Sequence, residues 1–247
     1  VAPVVGGFGG ALWGTAGTVI PWEVYQQTGD QRILRDNFEA MAGYVDYLTG
    51  RIDPVTNILD EGPLGDWLSP EGSKNDDTLF WEAYYLHSLR ILADSAAILQ
   101  DAVSEQKYRD LFNARLAHYQ TVYFDEDGLS RSSGFAGIMF GQKDPALKKV
   151  GTVIDSQASY AVPLALELLQ GDLQSKAQQH LLAAVARSNV DDLGQSRPPY
   201  SLMTGFIGTA VLLPSLSEAG QDAAAYKSYL AKVYGAYSLT GQDGPNG

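Results

Sequence analysis

The sequence predicts an all-α fold, a toroid in which an inner ring of helices is wrapped by an outer one, with four hairpins of a six-hairpin form present. Three observations predict it. Apolar residues recur at helical spacing in eight stretches while strand-like alternation is nearly absent. The joints between the stretches alternate short and long. The first stretch of each pair is nearly free of charge, whereas the second carries a charged face, so the first members are expected inside and the second outside.

In chain order, helix is expected over 15–28, closed by Thr28-Gly29-Asp30, which supplies a stop and a cap for the next helix over 31–50. A long joint from Arg51 to Thr78 leads to 79–99, and Gln100-Asp101 turns the chain tightly into 101–121. A second long joint, Val122 to Asp155, precedes 156–170, where Gly171-Asp172 starts 172–187. The third, Ser188 to Ser201, precedes 202–218, and Ala219 to Asp222 turns into 222–234. Short turns make neighbours antiparallel, so all the long loops must emerge on one rim. The irregular spacing argues against a uniform stack of helical repeats. The chain is expected to be one partial barrel domain over 1–247, with an irregular Gly-rich tail at 238–247.

Composition narrows the function. The 247 residues are 45% hydrophobic and 19% charged, with a net charge of -12, as in a water-soluble globular protein. Such acidity disfavours nucleic acid, whose binding rests on basic patches. No apolar run reaches the ~20 residues of a bilayer span, and the first twenty residues lack a signal-peptide pattern. No membrane partner is therefore expected. With no cysteine, thiolate metal sites, cysteine nucleophiles and disulfides are excluded, and the compartment stays open.

Sugar sites pair flat aromatic surfaces with carboxylates and amides that meet hydroxyl groups. The loop segment Leu64-Gly65-Asp66-Trp67-Leu68-Ser69-Pro70-Glu71 offers a Trp and two carboxylates, and the hairpin geometry brings Trp13 to the same rim. Trp13, Trp67, Asp66 and Glu71 are thus the substrate-binding candidates. Trp22 and Trp81 sit within inner helices and are assigned to packing. Glu23 and Glu82 are inner-helix carboxylates, for which a structural ion pair is expected. His87, His118 and His180 are too dispersed to form a metal site, and Asp125-Glu126-Asp127-Gly128 lacks the ligand series of a calcium loop, so no metal is expected. Gly6-Gly7-Phe8-Gly9-Gly10 has no phosphate-binding context.

Six strings in order resemble the catalytic domain of glycoside hydrolase family 78, the α-L-rhamnosidases. They are the run Trp13 to Trp22 with Tyr25 and Thr28-Gly29-Asp30, Met41 with Tyr44 to Leu48, Gly65-Asp66-Trp67-Leu68, Glu82 to Tyr85, Ser156 to Ala161, and Leu202 to Thr209. The resemblance implies an (α/α)6 barrel of the six-hairpin glycosidase type and cofactor-free, inverting hydrolysis of terminal α-L-rhamnosyl bonds in a rhamnose-containing glycoside. Trp13 and Trp67 match tryptophans that line the rhamnose pocket in the family. Thr15 stands where many members have an acid. The family's general acid and general base belong to motifs that this sequence does not contain, so both are expected outside it. The isolated chain is expected to be catalytically inert, with apolar inner helices facing solvent and prone to aggregation. Secretion or a periplasmic home is expected from the resemblance alone. Two rivals remain: another toroidal glycosidase or a lyase of acidic polysaccharide, which would want a basic groove, and a non-catalytic helical scaffold or carbohydrate-binding module, which would bury Trp13 and Trp67 in the core.

Overall fold

A computed structural model describes residues 10–135 and 143–230. The helices are α1 (Gly10–Gly14), α2 (Ala16–Thr28), α3 (Gln31–Thr49), α4 (Asp77–Ile98), α5 (Ala102–Tyr123), α6 (Gln157–Ala165), α7 (Gly171–Ala186), α8 (Phe206–Glu218) and α9 (Asp222–Leu230). A short antiparallel ribbon, β1 (Asn189–Val190) with β2 (Ser196–Arg197), lies in the joint before α8. The tail at 238–247, the glycines at 6–9 and the last residues expected in α9 lie outside the described residues.

Local chemistry explains the boundaries. Asp30, Asp76 and Asp101 each cap a helix by accepting a backbone N–H in its first turn, and Ser156 forms a capping box with Ser159 at the start of α6. Gly29 ends α2 in the left-handed conformation, at φ 69°. Two boundaries depart from the sequence expectation. α6 stops at Ala165, five residues early, because the chain leaves the helix through left-handed Glu167; Arg90 and Gln120 then donate to the carbonyls of Leu166 and Leu168. α8 begins at Phe206 instead of 202, because side chains claim the preceding backbone: Gln157 bonds Ser201 O and Met203 N, and Ser69 donates to Met203 O.

Each expected hairpin forms, α2 with α3, α4 with α5, α6 with α7 and α8 with α9, and the first members pack in a row, α2 on α4, α4 on α6 and α6 on α8. The core runs along that row. α4 and α6 are buried on nearly all sides, α6 without a charged residue and α4 with few for its length. α2 and α8 correct the expectation that every first member lies inside. They end the row, have inner-helix neighbours on one side, and expose Ile20, Val24 and Phe206. Glu23 is exposed on α2 and makes no ion pair among the described residues, so the expected buried pair does not exist there. Glu82 is the opposite case, fully buried and paired with Arg115.

Candidate functional site

The loop ahead of α4 is held by the first turns of two other inner helices. Asp66 is buried, and its carboxylate accepts the N–H of Gly205 at 2.7 Å and of Gly208 at 2.8 Å, thereby capping α8. The next carbonyl, that of Trp67, accepts the N–H of Phe206 at 3.0 Å. Only glycine fits at 205, where a Cβ would stand 2.2 Å from Trp67 O. Gly65 has the same role on the other side of the loop, where a Cβ would stand 1.9 Å from Asp77 Oδ1.

These contacts assemble an aromatic wall. The Trp67 indole lies 6.2 Å from that of Trp13, edge-on at 68°, and 5.5 Å from the Phe206 ring. Trp13 is half-buried and Trp67 is 41% exposed. Together with Leu12, Ala16 and Ile207, the three rings line a cavity of about 420 Å³ with no charged side chain among the described residues of its wall. α1 ends beside it, fixed by Thr15 Oγ1 and Tyr44 Oη, which both donate to Ala11 O. Trp81 is buried instead, donating to Leu64 O at 2.7 Å, and Trp22 packs against Tyr25.

The carboxylates nearby are already engaged. Glu71 borders neither this cavity nor the polar one behind Trp67; its side chain turns inward, accepting the Gln157 N–H at 3.1 Å at the start of α6 and facing Lys74 at 3.5 Å. As a sugar-contacting candidate it is therefore in the wrong place, because the first turn of α6 offers it an unpaired N–H. Asp77 pairs with Lys143 at 2.7 Å. Burial pushes the Asp66 and Asp77 carboxyls up to about 6 and that of Glu71 up to about 7, against the pull of the backbone N–H groups on Asp66, Lys143 beside Asp77 and Lys74 beside Glu71. Asp125 accepts from Asp127 N and Leu129 N and pairs with Arg131, an acidic turn satisfied by its own chain. His180 stacks on Tyr160, and half-buried His87 is pushed down to about 4 by its partial burial, so it is neutral at pH 7.

Comparison with known proteins places this geometry. A family model described as the bacterial alpha-L-rhamnosidase 6 hairpin glycosidase domain matches residues 1–245. The chain belongs to that family. An alpha-L-rhamnosidase of Streptomyces avermitilis is 29% identical over 92% of this chain, and one of Formosa agariphila is 26% identical over 90%. The chain spans about a fifth of the length of these relatives, 19% and 21%. Among solved structures, the Streptomyces avermitilis alpha-L-rhamnosidase complexed with L-rhamnose matches 95% of this chain and 19% of its own, with a TM-score of 0.71 at 27% identity. The alpha-L-rhamnosidase of Dictyoglumus thermophilum matches 92% of this chain and 23% of its own, with a TM-score of 0.72 at 25% identity. The six-hairpin glycosidase fold read from the sequence is thus the fold of this rhamnosidase domain.

Two features of the rhamnosidase domain escaped the sequence. Phe206, absent from the substrate-binding candidates, is the third ring of the cavity, and its only sequence signal is a lone aromatic in the segment from Leu202 to Thr209. Asp66, a sugar-contact candidate by its place beside Trp67, has both of its oxygens held by backbone N–H groups.

Glu71 makes stability depend on pH. Its folded value of about 7 lies above the ordinary 4.5, so its contribution is fully present below about pH 4 and is lost as pH rises through 7. The melting temperature is expected to fall between pH 5 and pH 8. Glu71→Gln should flatten the part of that fall centred near pH 7 and stabilise the protein at pH 8 by about 2–3 kcal/mol. Thermal melts across this range check it; an unchanged slope in the variant would defeat the assignment.

Proposed function

We propose that this chain contributes the aromatic wall of the sugar pocket in an enzyme that hydrolyses terminal α-L-rhamnosyl bonds with inversion. The observation that carries the reading is the cavity formed by Trp13, Trp67 and Phe206, three rings brought together from α1, the loop ahead of α4 and the first turn of α8. Such a surface suits the apolar face and methyl group of a deoxyhexose. The absence of charge among the described residues of its wall speaks against uronate-containing polysaccharide, and the exposure of Trp67 against a purely structural role.

Inversion needs an acid and a base about 6.5–9.5 Å apart, on opposite sides of the scissile bond. Glu71 has the raised pKa of a general acid yet is sealed away from both cavities, Asp66 caps a helix, and Asp77 and Glu82 are each ion-paired. On this reading the reacting carboxyls come from other parts of the enzyme, and the present residues bind and orient the sugar. Trp67→Ala should weaken L-rhamnose binding about tenfold, the ~1.4 kcal/mol expected for losing a stacked ring, with helix content retained. Titration of the purified chain followed by ligand-detected NMR measures this; an affinity unchanged within about twofold would sink the pocket.

A further inference from the structure

Behind Trp67 lies a second, larger cavity of about 670 Å³, and we infer that it is a sugar subsite for a neutral, hydroxyl-rich ring joined to the rhamnosyl unit. The inference rests on the rhamnosidase reading of the aromatic cavity. Its size falls within the range of ligand sites, and unlike its neighbour it has charged and hydrogen-bonding side chains in its wall. Trp67 is common to the walls of both, whereas the rest of this lining sets Leu64, Leu68 and Pro145 beside polar groups that include Ser73, Asn75, Asp77, Lys143 and Asp144.

Asn75 provides the strongest indication. It is 1% exposed, its Oδ1 accepts the Ser156 hydroxyl at 2.5 Å, and its Nδ2 has no partner among the described residues. A buried amide donor left unpaired costs about 1–3 kcal/mol, which a ligand hydroxyl in the adjoining cavity would recover. Lys143 Nζ offers a second donor, since only two of its three hydrogens are used, on Asp77 Oδ1 at 2.7 Å and Gly72 O at 3.0 Å. Acceptors are present as well, in the carboxylates of Asp77 and Asp144. Carboxylates outnumber the lone lysine among the lining residues, so the cavity repels uronates and phosphates. Alternating donors and acceptors without net attraction for anions suit a neutral sugar. A glycosidic bond passing the Trp67 edge would carry the chain from the apolar cavity, which accepts the deoxy sugar, into the polar one.

Three probes titrated into the full 247-residue chain by ligand-detected NMR test this: methyl α-L-rhamnoside, methyl β-D-glucoside and a rhamnosyl-glucose disaccharide. The disaccharide is expected to bind about tenfold more tightly than methyl rhamnoside, and Asn75→Leu should erase that advantage while leaving methyl rhamnoside binding unchanged. Equal affinities of disaccharide and methyl rhamnoside for the unaltered chain would overturn the subsite without recourse to any variant. So would an Asn75→Leu variant that weakens both by the same factor. If methyl rhamnoside fails to bind while glucoside binding is present and lost in Asn75→Leu, the subsite stands and the rhamnosidase reading falls.

Discussion

Asp66→Ala is expected to destabilise the protein by about 2–4 kcal/mol and to disorder the aromatic wall along with it. Its carboxylate serves two N–H groups at the positive end of α8, both of which would be left buried without an acceptor. Each such loss costs about 1–3 kcal/mol, partly offset because burying the carboxylate is itself unfavourable, as its upward-shifted pKa records. Asp66→Asn should cost less, since one amide oxygen still accepts. The same residue fixes the path of Trp67, whose carbonyl bonds Phe206, so the exciton signal between aromatic rings in near-UV circular dichroism should collapse in the alanine variant. Chemical denaturation and near-UV spectra together decide the role. A variant with wild-type stability that had lost only sugar affinity would make Asp66 a substrate contact rather than a positioning residue.

That double role shows what the sequence could and could not convey. Gly65-Asp66-Trp67-Leu68 and the segment from Leu202 to Thr209 stand far apart in the chain, yet in the structure they are one feature: a carboxylate, two helical N–H groups, and a glycine that lets the backbones touch. A string carries residue types and not their partners, so an acid beside a tryptophan looks like a sugar ligand. Glu71 misleads in the same way, because the N–H of Gln157 that claims it lies at the start of α6, far along the chain. Helix bounds were legible wherever the cap is local, as at Asp30 and Asp101. They were not where distant side chains compete for the backbone, as Gln157 does ahead of α8. Periodicity also cannot mark the end of a ring. α2 has the apolar composition of an inner helix and yet exposes Ile20 and Val24, because composition reports what a helix is suited to contact and not what lies beside it.

The largest single loss of stability is expected from Arg115→Met, about 3–5 kcal/mol at pH 7. Arg115 on α5 reaches inward and places Nε and Nη2 on Glu82 Oε1, each at 2.7 Å, while Nη1 bonds Asn57 Oδ1 at 2.8 Å. It thereby ties the outer helix, the inner helix α4 and the long loop that later carries Trp67. Glu82 is fully buried, its Oε2 lacks a partner among the described residues, and burial already raises its carboxyl above the ordinary value despite the guanidinium. Without Arg115 nothing remains to favour the charged form, and the carboxyl takes up a proton on folding. The variant's deficit should therefore shrink as pH falls toward about 4, where the unfolded chain is protonated too. Arg115→Met combined with Glu82→Leu removes the stranded charge, and most of the lost stability should return, since a buried pair replaced by apolar groups is often close to neutral. Denaturant melts of the two single variants and the double variant complete the cycle. A double variant as unstable as Arg115→Met alone would mean that the cost lies in the lost Asn57 contact and packing, and that the ion pair is not what holds the second hairpin together.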